Sequence, residues 1–146
     1  MQTKYKMDRD TRTLILKYIR KYDGYCAWYR AERDRIFALS PRLPDGLPRG
    51  MAIKDSVLDR TVRLDVLEQH PRTRVMRAID GARELIGIDY DNDALREKLK
   101  DAIWLSCLDG RVYPFEAFDG LVGCGRTEFY SRKNRFLLDI KSRLGI

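Results

Sequence analysis

Three groups of residues in this chain have types and spacings that suit chemistry, and each is tested against what that chemistry requires. Gly120-Leu-Val-Gly-Cys-Gly125-Arg126-Thr127 differs by one residue from the phosphate-binding loop G-x-x-x-x-G-K-[ST]. There a lysine reaches the outer phosphates and a hydroxyl holds magnesium. Arg126 stands in the lysine's place, and a guanidinium fork does not replace an ammonium point charge. The loop also needs a buried strand ahead of it, whereas Phe115-Glu-Ala-Phe-Asp119 reads as a helical turn. Asp89, Asp91 and Asp93 have the first three spacings of a calcium loop, but Ala94 and Lys100 occupy the positions that need glycine and glutamate. They read instead as acidic residues at the positive end of a helix starting near Asn92. Cys26, Cys107 and Cys124 are scattered, with no CxxC pair, and His70 is the only histidine. The cysteines read as reduced, core-filling thiols. Neither a metal site nor a Cys–His nucleophile finds support, no pair of carboxylates stands out for acid–base work, and no cofactor is implied. The chain is expected to bind rather than to catalyse.

The elements that would hold these residues are helical. From Asp10 to about Leu39 there is no proline, and Leu14, Tyr18, Tyr22, Tyr25, Trp28 and Tyr29 recur at three- and four-residue steps. That spacing predicts one long amphipathic helix, capped by Asp8 or Asp10 and open to bending at Gly24. Residues 40–50, with three prolines and two glycines, read as a linker. A second helix is expected behind Asp55 or Ser56, burying Val57, Leu58, Val62, Leu64 and Leu67. Pro71 either kinks it or opens the next helix. Val75, Ile79, Ala82 and Ile86 continue the stripe up to Gly87. Leu95, Leu99, Ala102, Ile103, Leu105 and Leu108 predict a further helix, and Asp109-Gly110 a tight turn. A short helix is expected from Pro114 to about Val122, and a last one from Arg126 to about Leu144. No long alternation suggests a strand, so the fold class is all-α. The segments are 1–50, long helix and linker; 51–99, a central helical region; and 100–146, a C-terminal unit.

Charge narrows the class of partner. The 146 residues carry 29 basic and 22 acidic side chains, a net charge of +7. Residues 1–50 hold +6, residues 51–110 hold −2 and residues 111–146 hold +3. Such an excess favours a polyanion. The longest apolar run, Ala102 to Leu108, is far short of the roughly 20 residues of a membrane helix. Lys4, Lys6, Arg9 and Arg12 lead into an amphipathic segment rather than a secretory leader. The expectation is a cytoplasmic protein with no membrane association. The aromatic stripe of the first helix suits core packing or a homodimer interface. Beside Lys17, Arg20, Lys21 and Arg30 it would alternatively offer stacking surfaces to a single strand.

The C-terminal unit has the pattern of a helix-turn-helix, whose second helix enters the major groove while the first braces it. Phe118, Val122, Cys124 and Phe129 supply apolar positions around a turn at Gly123 and Gly125. Arg126, Thr127, Glu128, Tyr130 and Ser131 then fall where side chains meet base edges, and Arg132, Lys133 and Arg135 where they meet phosphates. Residues 126–143 hold six basic and two acidic side chains.

The run AIWLSCLDGRVYPFEAFDGLVGCGRTEFYSRK, Ala102 to Lys133, resembles the region-four DNA-binding domain of sigma factors. Together with the upstream helices and the Pro/Gly-rich break, the chain resembles phage late transcription regulators of the RinA/ArpU type. The resemblance implies a sigma-like activator acting on double-stranded promoter DNA in a bacterial host, with RNA polymerase as a second partner. The chain departs from the pattern at Gly125, where a serine usually caps the recognition helix, and at Asp119, where a small residue usually lets the helices pack. The reading that competes from another class is a DNA-packaging subunit of the small-terminase kind, which also joins a helix-turn-helix to oligomerising helices.

Overall fold

A computed structural model describes residues 7–38, 49–108 and 120–146, with side chains of 49–56 excepted. The fold is all-α: α1 (Arg9–Ala38), α2 (Arg49–Gln69), α3 (Pro71–Leu85), α4 (Asp93–Leu108) and α5 (Arg126–Leu144). Of the linker expected at 40–50, residues 40–48 lie outside the described residues, while Arg49 and Gly50 already belong to α2, which starts six residues ahead of Asp55. The Asp109-Gly110 turn, most of the helix from Pro114, Phe118 and Asp119 also lie outside the described residues. No described helix is long and apolar enough to cross a membrane.

The compact units do not follow the three consecutive segments that the sequence suggests. One unit comprises residues 1–22 and 77–146, and the other residues 23–76, so α1 and α3 each contribute to both. α1 starts where expected. Asp8 caps it, its carboxylate accepting from the Thr11 N–H at 3.4 Å and its carbonyl from Arg12 at 2.9 Å. The helix continues through Gly24, and the unit boundary falls just before that residue.

In the first unit the core is Ile15 and Ile19 of α1, Ile79 and Ala82 of α3, Leu99, Ala102 and Ile103 of α4, and Phe129, Phe136, Leu137 and Ile140 of α5. Tyr22 packs edge-on against Trp104, with ring centroids 5.2 Å apart, and its hydroxyl bonds the Asp80 carboxylate. Arg83 lies over the Trp104 ring at 4.3 Å. α3 closes at Gly87, whose φ of +66° suits glycine. Arg96 reaches back from α4 to donate to the Ile86 carbonyl at 3.0 Å and to that of Glu84, satisfying acceptors the helix end leaves open. α4 is capped by Asn92, which accepts from Leu95 at 3.1 Å, and not by the neighbouring aspartates. Ser106 and Cys107 are buried near its end, while Leu105, expected inside, is 42% exposed.

In the second unit Trp28 stacks at 4.5 Å on His70, Arg72 lies over both Trp28 and Tyr25, and Tyr29 bonds Glu68. Tyr22, Tyr25, Trp28 and Tyr29 of the aromatic stripe are therefore engaged within the chain, while Leu14 at its start is exposed. The burial expected of α2 needs correction. Leu67 is buried and Leu64 half-buried, but Val57, Leu58 and Val62 are 53–64% exposed. Leu58, Val62 and Val66 form a second apolar stripe turned away from the Leu64–Leu67 side, while Val57 shares the side of Leu64 yet stays exposed, a split that an apolar count along the helix conceals. Pro71 opens α3 at its first position, where its missing N–H costs nothing.

His70 is the cap of that helix. Its Nδ1 accepts from the Arg72 N–H at 3.1 Å and its carbonyl from Arg74 at 3.0 Å. Replacing His70 by alanine should cost about 1–2 kcal/mol of stability by urea denaturation, the range of a lost cap, and asparagine should recover part of it. Equal stability of both variants and the parent would contradict the capping role.

Candidate nucleic-acid interface

The site is built from the turn that aims α5. Gly123 adopts φ +70°, and a Cβ there would come within 2.6 Å of Leu95 Cδ2. The position favours glycine for its left-handed backbone, and a Cβ would also push aside the end of the Leu95 side chain. Val122, fully buried, anchors the turn from one side. Its carbonyl accepts the Tyr90 hydroxyl at 2.7 Å, and burial pushes the Tyr90 pKa up to about 12. Gly125 is the N-cap of α5, extended at φ −76° and ψ 173°, with no side-chain cap. The departure from serine noted in the sequence thus falls on a true cap position, where glycine is only slightly poorer.

α5 turns its sides in opposite directions. Phe129, Phe136, Leu137 and Ile140 are buried. Thr127, Ser131 and Arg135, at four-residue spacing, form an exposed stripe on the other side, and Arg126 is exposed beside its start. Four of the five residues expected at base edges, Arg126, Thr127, Glu128 and Ser131, are exposed. Tyr130 is half-buried, its ring edge-on to Phe129 at 5.6 Å.

The expected phosphate contacts divide differently. Arg132 grips Asp89 with two hydrogen bonds, 2.9 and 2.7 Å, and also bonds Glu128 at 2.9 Å. Its guanidinium lies 4.9 Å over the Tyr90 ring, and only 13% of its side chain is exposed. The fork holds the Asp89 carboxyl down at about 2, and Asp89 and Glu128 hold the arginine charged. Lys133 is half-buried and donates to the Ser106 carbonyl at 3.4 Å, in the last turn of α4, where a cation complements the helix end. Burial lowers its pKa. Both residues serve the fold, and a phosphate would have to compete with these partners. Arg135 alone of the three stands exposed, with no ion pair among the described residues.

The chemistry set aside from sequence gains no new candidate. Burial raises the Cys107 thiol to about 11, so it stays protonated and a poor nucleophile, and the Cys124 thiol is raised as well. Among the described residues no group of three or more His, Cys, Asp or Glu is gathered to hold a metal ion.

Asp89, Tyr90 and Leu95, which seat the turn and the start of α5, carry no sequence signal of that role. Their partners lie more than 25 residues away along the chain. No protein-family model, curated protein or solved structure matches this chain.

Two outcomes test the geometry. Gly123→Ala should lose about 1–2 kcal/mol, mainly from strained backbone, whereas Gly125→Ser should gain a few tenths. Urea midpoints measure both, and equal small effects would contradict the turn. Because Asp89 titrates lower in the folded chain than in the unfolded one, near 3.9, its contribution is present above about pH 4 and lost as pH falls toward 2. Asp89→Asn should flatten that part of the acid-unfolding profile. An unchanged profile would sink the Arg132 pairing.

Proposed function

We propose that this chain is a sequence-specific, double-stranded DNA-binding transcription regulator that acts without catalysis, of the phage or prophage late-gene kind that it resembles. The observation that carries the reading is the exposed start of α5. Arg126, Thr127, Ser131 and Arg135 project from a helix held rigidly by Phe129, Leu137 and the Gly123 turn. A helix presented by its amino-terminal half is what major-groove readout uses, with the first residues at base edges. Arginine matches the two acceptors of guanine, and threonine and serine hydroxyls can donate to or accept from base edges. The net charge of +7 supports a polyanionic partner.

The burial of Arg132 and Lys133 refines this reading. On α5, Arg126 reads bases and Arg135 contacts the backbone, while Arg132 and Lys133 position the helix. Glu128, bound to Arg132, helps to fix the helix, and Tyr130 supports its inner edge.

The test begins by selecting a duplex from a random library with the purified chain. Arg126→Ala should then lose about 1–3 kcal/mol at one or two base pairs of the selected site, roughly a 5- to 150-fold loss, with little change on random duplex. Equal losses on both duplexes would refute base readout by Arg126. Failure of the library to enrich any sequence would refute sequence-specific binding.

A further inference from the structure

The excess charge at the amino terminus has no role in the reading above, and the fold places part of it beside α5. From Thr11 to Tyr22 there are four basic residues and no acidic one. Arg12 is half-buried and donates from Nη1 to Asn134 Oδ1 of α5 at 3.4 Å. Lys17, Arg20 and Lys21 are exposed and make no ion pair among the described residues. This contrasts with α5, where Arg132, Lys133 and Arg143 all have protein partners.

The helix periodicity sets where these cations stand. Ile15 and Ile19 define the buried side of this part of α1. At 100° per residue Lys17, Arg20 and Lys21 lie on the opposite side, with Thr13 among them. Arg12 lies at the edge of the buried side, about 20° round the helix from Ile19 and about 80° from Arg20. On α5, Asn134 lies next to the exposed stripe Thr127–Ser131–Arg135. The Arg12–Asn134 bond therefore ties the edge of the buried side of α1 to the border of the exposed stripe of α5, within one compact unit.

We propose that Lys17, Arg20 and Lys21 form the main phosphate-binding surface of this unit, lying along the DNA backbone while the start of α5 enters the groove. The inference rests on the DNA-binding reading and extends it. Base readout and backbone grip reside on different helices, and the cations of α5 that looked like the grip are structural. Exposed lysines and arginines without acidic partners need shed only water to bind a phosphate, whereas Arg132 would first have to release Asp89 and Glu128.

The experiment is a fluorescence-anisotropy titration of a labelled duplex at several salt concentrations, with the full chain and Lys17→Gln/Arg20→Gln/Lys21→Gln. The slope of log K against log salt should become shallower by about 2–3, near 0.9 for each phosphate that is no longer neutralised. Affinity should fall by the same factor on selected and random duplex. The single change Lys17→Gln should remove about one third of that slope and serves if the triple variant is poorly folded. Arg30→Gln, an exposed cation of the other unit, should leave the slope unchanged. If the parent chain binds and the triple and single variants keep its slope, the α1 surface is wrong and the DNA-binding reading stands. An equal drop for Arg30→Gln and Lys17→Gln also overturns it, as charge would then act without location. A parent chain that binds no duplex at moderate salt overturns both.

Discussion

The fork of Arg132 is the interaction on which the candidate site depends. One guanidinium holds Asp89 bidentately, holds Glu128 on its own helix, and rests on the face of Tyr90. Tyr90 in turn ties down the Val122 carbonyl, one residue before the Gly123 turn. The loop after α3, the turn and the first two turns of α5 are thereby fixed to one another by a connected polar network. An isolated surface ion pair contributes little, because water competes and side-chain entropy opposes it. This one differs in having a bidentate geometry and an arginine largely covered by its neighbours. A recognition surface needs such rigidity, since groups that must be ordered on binding reduce the affinity they contribute.

A second constraint acts with the first. A basic protein cannot use one cation both to brace a helix and to grip a phosphate without cost. In this chain the cations are divided. Arg96 satisfies the end of α3, Lys133 the end of α4, Arg132 the loop, and Arg83 stacks on Trp104. Lys17, Arg20 and Lys21 of α1 and Arg135 of α5 are exposed and make no ion pair among the described residues. The net charge of the chain therefore overstates the charge available to a partner, and its placement matters more than its sum.

Much of the fold was legible from apolar spacing. The limits of α1 and α5 fall within a residue or two of where periodicity puts them, because each has one buried stripe and a clear stop. Pro71 and Gly87 mark the ends of α3 by backbone chemistry alone. α2 was misread because two apolar stripes share one helix, and a count of apolar residues cannot say which one faces the core. The site was legible in its turn and its helix, since glycine and the apolar pattern around residue 123 are local signals. The roles of Arg132 and Lys133 were not. Both look like phosphate contacts on a basic helix, and only the fold brings Asp89 and the Ser106 carbonyl to them across 43 and 27 residues.

The most direct measurement of the central claim is amide chemical-shift mapping of the full chain as a selected duplex is added. Binding through α5 and α1 should move resonances of residues 126–131 and 13–21 first and most. Those of α2 should stay in place. Shifts centred on α2, or confined to residues far from the start of α5, would contradict the account.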